Sequence, residues 1–302
     1  MNIIADNMDD LINAAIEEIL TNGRIVFPRG MQTKEIIGAK IILTTPKNRI
    51  LYNPERKFKL SYAIGEFLWY ISGSSECEFI NYYNTRYYNY SDNGIDLNGA
   101  YGKRIFCSDS HKSQWKCVYE LLKRDPDTRQ AVISIFKPHD IRIITKDVPC
   151  TNTIQFFIRD QKLDCIVYMR SNDLMWGTPY DIFSFTMMQE MMANSLGVDM
   201  GKYIHMVGSL HIYERHFDQV EKMLMCKNYK RYTMPSMPIE DNLEDLIICA
   251  KKIRKNSKLN NIPKTQYSRD LISVLYKYAV ERYKYPYIYS DLVLPEIYNL
   301  WS

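Results

Sequence analysis

Apolar positions recur along this chain with two periods, one typical of helices and the other of strands. A helical period runs through MDDLINAAIEEILTNG near the N-terminus and ends at Gly23, which predicts an amphipathic helix. A second, strongly apolar helical run, SYAIGEFLWYISG, is broken at Gly73. The longest apolar helix is predicted from about Tyr180 to Leu196, with Pro179 near its first turn and Gly197 at its end.

Short runs of β-branched and aromatic residues predict the strands. They are EIIGAKIILTT, QAVISIF after a helix through QWKCVYELLKR, YIHMVGSLHIY, and the pair TIQFFIR and LDCIVYMRS. The last two are joined by Asp160-Gln161-Lys162, a polar turn of hairpin length, and the C-terminal part of the chain looks mainly helical. Some predicted strands thus follow one another directly along the chain, and others are separated by predicted helices. This order predicts an α+β fold with a mixed sheet, in a single domain over residues 1–302.

Composition narrows the class of protein. The 302 residues are 46% hydrophobic and 25% charged, as in an ordinary globular chain. No apolar run approaches the roughly 20 residues that span a bilayer. The first residues, MNIIADNMDD, carry acids where a secretory signal is basic, so we expect a cytoplasmic protein without a membrane partner. Seven cysteines without paired metal-ligand spacing indicate neither a disulfide framework nor a metal site.

Charge and aromatic content do not indicate a nucleic-acid-binding protein. The net charge of +4 is small, and the basic run KKIRKNSK is typical of a solvated helix end. The segment YYNTRYYNY could stack nucleic-acid bases, but it is more typical of a packed helix whose hydroxyls reach solvent or a ligand. We therefore expect no direct nucleic-acid partner.

Two residues have surroundings that suit catalysis better than packing. Cys150 follows Pro149 at a loop-to-strand boundary among polar neighbours, and a guanidinium such as that of Arg170 would stabilise its thiolate. Glu66 falls within an apolar helix, where a buried carboxyl can serve as a proton donor near neutral pH. The alternative for each is an inert core residue.

Further polar residues stand at ordered positions. His211 and Tyr213 alternate on one predicted strand, so their side chains point the same way. Asp181 lies just inside the start of the longest helix. A carboxylate there either complements the helix N-terminus or faces a ligand.

Several motifs, in order and at the right spacing, resemble the thymidylate synthase family. The nucleophile motif, a proline and a cysteine before a strand, is matched by Pro149-Cys150. The remaining matches are Arg170-Ser171-Asn172-Asp173, Gly177-Thr178-Pro179-Tyr180-Asp181-Ile182, His211-Ile212-Tyr213, Gly65-Glu66-Phe67-Leu68-Trp69, Tyr101-Gly102-Lys103 and Asp127-Thr128-Arg129-Gln130. The resemblance runs to about residue 220, beyond which no motif supports it.

The resemblance implies a thymidylate synthase-like enzyme that uses 5,10-methylenetetrahydrofolate and no metal. A cysteine thiolate adds to C6 of a pyrimidine nucleotide, and C5 then attacks the one-carbon unit of the folate. Cys150 would be the nucleophile, Glu66 would relay protons through water, and Tyr101 would lie near the nucleophile. Substrate-binding residues would be Arg29, Arg129, Arg170, Ser171, Asp173, His211 and Tyr213. Folate-binding residues would be Trp69, Tyr87, Tyr88, Asp173 and Gly177.

The resemblance also implies a homodimer that forms through the sheet. Arg129 would then reach into the site of the partner subunit and contact the substrate phosphate. Gln130 stands where the family has a second arginine, which weakens the expectation for that contact.

Typical family members have an asparagine at the position of Asp181, and its amide forms hydrogen bonds with the base edge of uracil. Cytosine presents an amino donor at N4 and an acceptor at N3, the inverse of uracil. A carboxyl accepts from N4 and can donate a proton to N3, which also activates the ring toward the thiolate. Asp181 therefore predicts deoxycytidylate (dCMP) as substrate and a resemblance to the dCMP hydroxymethylase branch, in which water quenches the C5 methylene.

Two weaker departures favour water as the acceptor. The family tryptophan that shields the methylene is replaced by a tyrosine, Tyr87 or Tyr88. The chain ends in LPEIYNLWS, unlike the family tail that closes over the folate. The alternatives are a dCMP methylase, a cytidylate (CMP) hydroxymethylase, a thymidylate synthase acting on dUMP, and an inactive homologue that binds nucleotides or nucleic acid.

Overall fold

A mixed sheet lies at the centre of the computed structural model, which describes residues 1–107, 112–240, 242–259, 262–285 and 295–298. Its strands are β1 (Asn2–Ala5), β2 (Arg24–Val26), β3 (Thr33–Leu43), β4 (Val132–Ser134), β5 (Thr151–Arg159), β6 (Lys162–Asp173) and β7 (Asp199–Tyr213). Their order is β1-β3-β7-β6-β5-β4, with β2 paired to β3. Because β1–β3 and β6–β7 are parallel and the other pairs antiparallel, the predicted mixed sheet and α+β class are confirmed.

The helices cover one face of this sheet. They are α1 (Met8–Asn22), α2 (Leu60–Ile71), α3 (Cys77–Asn81), α4 (Tyr101–Phe106), α5 (Gln114–Arg124), α6 (Thr178–Leu196), α7 (Phe217–Met225), α8 (Leu243–Arg254) and α9 (Gln266–Tyr283). Helix α6 packs on β6 and β7 and also against α2, which in turn contacts α4, α8 and α9. The packing of α2 against α6 brings together the two buried acids discussed below.

The ends of the predicted elements have local causes. Pro179 occupies the first turn of α6, and Gly197 ends the helix in the left-handed region with φ 69°. Asp160 and Gln161 have φ of 50° and 59°, as a two-residue hairpin turn requires, so Lys162 already belongs to β6. Among the described residues, no helix combines the length and apolar character that a bilayer crossing requires.

A change of side-chain alternation in β7 positions two of the residues predicted to bind the substrate, His211 and Tyr213. Tyr203, His205 and Val207 are buried, but beyond Gly208 the buried positions are Leu210 and Ile212. A Cβ at Gly208 would lie 2.5 Å from the carbonyl oxygen of Arg170, so the strands approach closely here. His211 and Tyr213 therefore leave the core face of the strand and are half-buried.

The other face of the sheet carries accessible apolar side chains. Tyr168 of β6 and Met206 of β7 are in register and are 41% and 39% exposed. Ile166 and Ile204, the next pair on the same face of these strands, are half-buried. Of the C-terminal segment LPEIYNLWS, only residues 295–298 are among those the structure describes.

Candidate active site

Glu66 lies inside the protein with two tyrosine hydroxyls around one of its oxygens. Tyr62 donates to Glu66 Oε1 at 2.6 Å and Tyr87 donates to the same oxygen at 3.0 Å. The two hydroxyls lie 2.9 Å apart, while Oε2 has no hydrogen-bond partner in the described part of the chain. Burial raises the pKa of Glu66 to about 7, against the opposing effect of the hydroxyls. A carboxyl with that pKa can both give and take a proton near neutral pH.

The structure distinguishes the two candidate tyrosines. Tyr87, in a 3₁₀ turn, contacts Glu66 and meets the Trp69 ring edge-on, with ring centroids 5.8 Å apart. Tyr88 is 46% exposed, and its side chain is not part of this cluster. Tyr62, one helical turn before Glu66, was not among the predicted site residues, although this i, i+4 spacing could have suggested it.

Asp181 faces a side-chain amide rather than the backbone of its own helix. Asn172 Nδ2 donates to Asp181 Oδ2 at 2.8 Å. Among the described residues, no backbone N–H donates to this carboxyl, so Asp181 could complement the helix N-terminus only through its negative charge. Asp181 is 8% exposed, and burial, followed by the charge of Glu66, raises its pKa well above the usual range. The neutral acid is therefore the form that this environment favours.

Cys150 lies at the start of β5, in a loop that Arg170 holds in place. Arg170 Nε donates to Pro149 O at 3.0 Å, and its Nη2 donates to Val148 O at 2.9 Å. The hydroxyl oxygen of Tyr101 accepts from Thr151 N–H at 3.2 Å, next to the cysteine. These bonds fix the backbone on both sides of the thiol.

The thiol of Cys150 is less acidic than its neighbouring guanidinium would suggest. Burial raises its pKa, Arg170 lowers it, and the charge of Asp181 raises it further. Arg170 acts in the expected direction, but burial outweighs it, so the free protein holds mainly the thiol. A neutral Asp181 removes one of the contributions that oppose the thiolate.

The predicted substrate-binding residues group at the ends of β6 and β7. Ser171 Oγ lies 3.4 Å from Arg170 Nη1. Burial raises the pKa of the Tyr213 hydroxyl, the charge of Asp173 adds to this, and the charges of Arg215 and Arg29 oppose it. The rings of His211 and Tyr213 meet edge-on, with centroids 5.1 Å apart.

Two of the predicted residues differ from the rest of this group. Arg129 is exposed, and its side chain makes no hydrogen bond or ion pair within the described residues. Asp173 uses one carboxylate oxygen for the backbone N–H groups of Met175 and Trp176, at 2.8 and 3.2 Å. Asp173 thus shapes the turn that leads into α6.

A cavity of about 550 Å³ adjoins the Glu66 cluster through Tyr62, which lines it. Its wall combines aromatic rings and cationic side chains, among them Tyr83, Trp176, Tyr180, Arg56, Lys57 and Lys59. The predicted folate-binding residues Trp69, Tyr87, Tyr88, Asp173 and Gly177 do not form this wall, but Trp176 and Tyr180 come from the same segment as two of them. A larger cavity of about 760 Å³, lined by Asp92, Arg104 and other polar residues, contains none of the predicted site residues.

Comparison with known proteins assigns the chain to a family. The family description "Thymidylate synthase" matches residues 12–266, which is most of the chain and extends past residue 220, where the recognisable motifs end. The chain belongs to the thymidylate synthase family. Membership agrees with the predicted enzyme class, a folate-dependent one-carbon transferase acting at C5 of a pyrimidine nucleotide.

Individual relatives refine this picture. A protein named deoxyuridylate hydroxymethyltransferase, from Bacillus phage SP01, is 37% identical over 216 residues, which cover 68% of this chain and 55% of that protein. The chain thus spans about half the length of this curated relative. The thermostable thymidylate synthase A from Bacillus subtilis has the same fold, with a TM-score of 0.64 at 21% identity over 74% of this chain and 86% of the other.

Proposed function

We propose that this protein transfers the one-carbon unit of 5,10-methylenetetrahydrofolate to C5 of dCMP and releases 5-hydroxymethyl-dCMP. The observation that carries the proposal is the buried Asp181 carboxyl, whose pKa burial raises, at the position predicted to read the base. A neutral carboxyl can donate to N3 of cytosine while its other oxygen accepts from N4. Protonation at N3 then withdraws charge from the ring as the thiolate attacks.

The remaining residues suit the steps of this reaction. The thiolate of Cys150 adds to C6, and the resulting C5 carbanion attacks the methylene carbon of the folate. Loss of the C5 proton and departure of tetrahydrofolate leave an exocyclic methylene, to which water adds. Expulsion of the Cys150 thiolate then restores the aromatic ring. Glu66, with a pKa of about 7 and an unpaired Oε2, suits proton transfer through an ordered water in these steps.

Water as the final acceptor is supported by the polar surroundings of Glu66. The hydroxyls of Tyr62 and Tyr87 lie 2.6 and 3.0 Å from Oε1, so a water molecule there would find several hydrogen-bond partners. A relative that shares 37% identity is also named a hydroxymethyltransferase. A methylase reaction would instead require the methylene to be shielded from water until hydride arrives.

The co-substrate and the phosphate have sites of suitable chemistry. The 550 Å³ cavity offers Arg56, Lys57 and Lys59 for the carboxylates of the folate. Arg170 and Ser171, with Arg29 near Tyr213, suit a phosphate dianion.

The homodimer is part of the proposal. Tyr168, Met206, Ile166 and Ile204 form an accessible apolar patch on the sheet face opposite the helices, as expected of an interface between two copies. Arg129, exposed and unpaired among the described residues, would then be free to reach the substrate phosphate of the partner subunit.

A second candidate is hydroxymethylation of dUMP. The name of the phage relative gives deoxyuridylate as its substrate, and the two proteins are 37% identical over 216 residues. Asp181 is the residue on which the choice depends.

The deciding experiment is product analysis by mass spectrometry after separate incubation with dCMP, dUMP and CMP in the presence of methylenetetrahydrofolate. We expect a hydroxymethyl group on dCMP, and we expect Asp181→Asn to shift the preference toward dUMP by about ten- to a hundredfold. A methyl group with release of dihydrofolate would overturn the water step. A wild-type preference for dUMP would overturn the assignment of Asp181.

A further inference from the structure

A chain of buried hydrogen bonds reaches Asp181 from the interior of the sheet. Tyr203 OH and His205 Nδ1 lie 2.8 Å apart, and His205 Nε2 and Asn172 Oδ1 lie 2.9 Å apart. The amide of Asn172 then donates from Nδ2 to Asp181 Oδ2 at 2.8 Å. All four residues are nearly or fully buried, with Tyr203 and His205 at 0% exposure.

The direction of these bonds follows from the donors available. Burial lowers the pKa of His205 to about 3, so its ring is neutral and carries one N–H. If that N–H is on Nε2, Tyr203 donates to Nδ1, His205 donates to Asn172 Oδ1, and every donor has an acceptor. If it is on Nδ1 and the amide is reversed, the Tyr203 hydroxyl hydrogen has no acceptor among the described residues.

Further contacts hold the amide in place. Thr178 Oγ1 lies 2.6 Å from Asn172 Oδ1 and 3.2 Å from the carbonyl oxygen of Asp173, so in this orientation its hydroxyl can donate to Oδ1 as His205 does. A Cβ at Gly177 would lie 2.5 Å from Asn172 Nδ2, so only glycine leaves room for the amide at this position. Asn172 therefore presents a fixed N–H donor to Asp181.

A neutral carboxyl by itself does not distinguish cytosine from uracil. It has one hydroxyl donor and one carbonyl acceptor. With the carbonyl oxygen toward position 4 and the hydroxyl toward N3, it matches cytosine. With the proton on the other oxygen, it donates to O4 and accepts from N3–H, which matches uracil equally well.

We propose that Asn172, oriented by Tyr203 and His205, sets the preference for cytosine by determining which oxygen of Asp181 carries the proton. The carbonyl oxygen of a neutral carboxyl is a stronger acceptor than its hydroxyl oxygen, so the N–H of Asn172 favours Oδ2 as the carbonyl oxygen and Oδ1 as the hydroxyl. In the proposed binding mode, N4 of cytosine faces Oδ2 and N3 faces Oδ1. In this arrangement O4 of uracil meets an acceptor. The inference rests on the proposed function, because it concerns how the same site selects dCMP.

The test compares kcat/KM for dCMP with kcat/KM for dUMP in the wild type and in variants. In Asn172→Leu the ratio should fall about tenfold or more, since the proton of Asp181 is then free to move to either oxygen. Tyr203→Phe keeps the aromatic ring but removes the hydroxyl that orients His205 and, through it, Asn172. We expect the ratio to fall about threefold or more. Asn53→Leu removes a buried amide that bonds Met223 O, away from Asp181, and serves as the control with an unchanged ratio.

The outcomes separate this inference from the proposed function. A wild-type preference for dUMP overturns the proposed function and this inference with it. A wild-type preference for dCMP with an unchanged ratio in either variant overturns the inference alone. If Asn172→Leu does not fold, Tyr203→Phe decides. Equal losses of activity toward both nucleotides indicate structural damage and count against the proposal, because the ratio then stays constant.

Discussion

Two buried carboxyls occupy the same site but have different kinds of hydrogen-bond partner. Glu66 receives two tyrosine hydroxyls on one oxygen and leaves the other oxygen without a protein partner among the described residues. Asp181 receives a single amide N–H, and that amide is itself held by further bonds. Burial raises the pKa of both acids.

The partners determine what each acid can do. A hydroxyl can rotate and serve as donor or acceptor, so the surroundings of Glu66 adapt when a proton arrives or leaves. An amide N–H only donates, so the surroundings of Asp181 favour one placement of the proton. The first arrangement suits proton transfer and the second suits recognition of a base edge.

The largest effect is expected from Glu66→Gln, which removes the transferable proton but keeps the shape. We expect kcat to fall about 10²–10⁴-fold with little change in the KM for dCMP. Steady-state kinetics provide the measurement. A change in KM alone would make Glu66 a structural residue.

A second expectation concerns stability. The pKa of Glu66 lies near 7 in the folded protein, above its ordinary 4.5, so folding favours the protonated form. The stabilisation is complete below pH 4.5 and is lost as the pH rises through 7, by about 3 kcal/mol. Urea unfolding at several pH values should show that the free energy of unfolding decreases less steeply with pH in Glu66→Gln than in the wild type. Parallel curves would mean that Glu66 is already ionised in the folded state.

The helices and strands that the sequence predicts are those in which the hydrophobic pattern extends over many residues. The long helices and strands were predicted because many residues repeat one period, and α5 follows its predicted segment QWKCVYELLKR from end to end. Strands β1 and β2 and helices α3 and α4 have six residues or fewer, too short for a period to be recognised.

The site shows a similar limit. Motif spacing selects Cys150, Glu66 and Asp181 as candidates but not His205, which occupies an inward position in a strand of mainly apolar residues. Tyr87 and Tyr88 could not be separated because they fall in a 3₁₀ turn, where no regular period assigns a face. The direction in which the pKa of Cys150 is shifted could not be predicted from the sequence, because it depends on burial in the packed structure.

The smallest effect is expected from Gly177→Ala, which tests whether the fixed amide is what distinguishes Asp181 from Glu66. The new Cβ would lie 2.5 Å from Asn172 Nδ2 and 3.3 Å from Asp181 Oδ2, while φ of −91° suits alanine. The amide must therefore shift, and the preference for dCMP over dUMP, measured as a ratio of kcat/KM values, should fall by up to about tenfold. If Gly177 acts through Asn172, adding Gly177→Ala to Asn172→Leu should cause no further fall. Additive losses would show that Gly177 affects the base by another route, and the contrast between the two acids would then not depend on the amide.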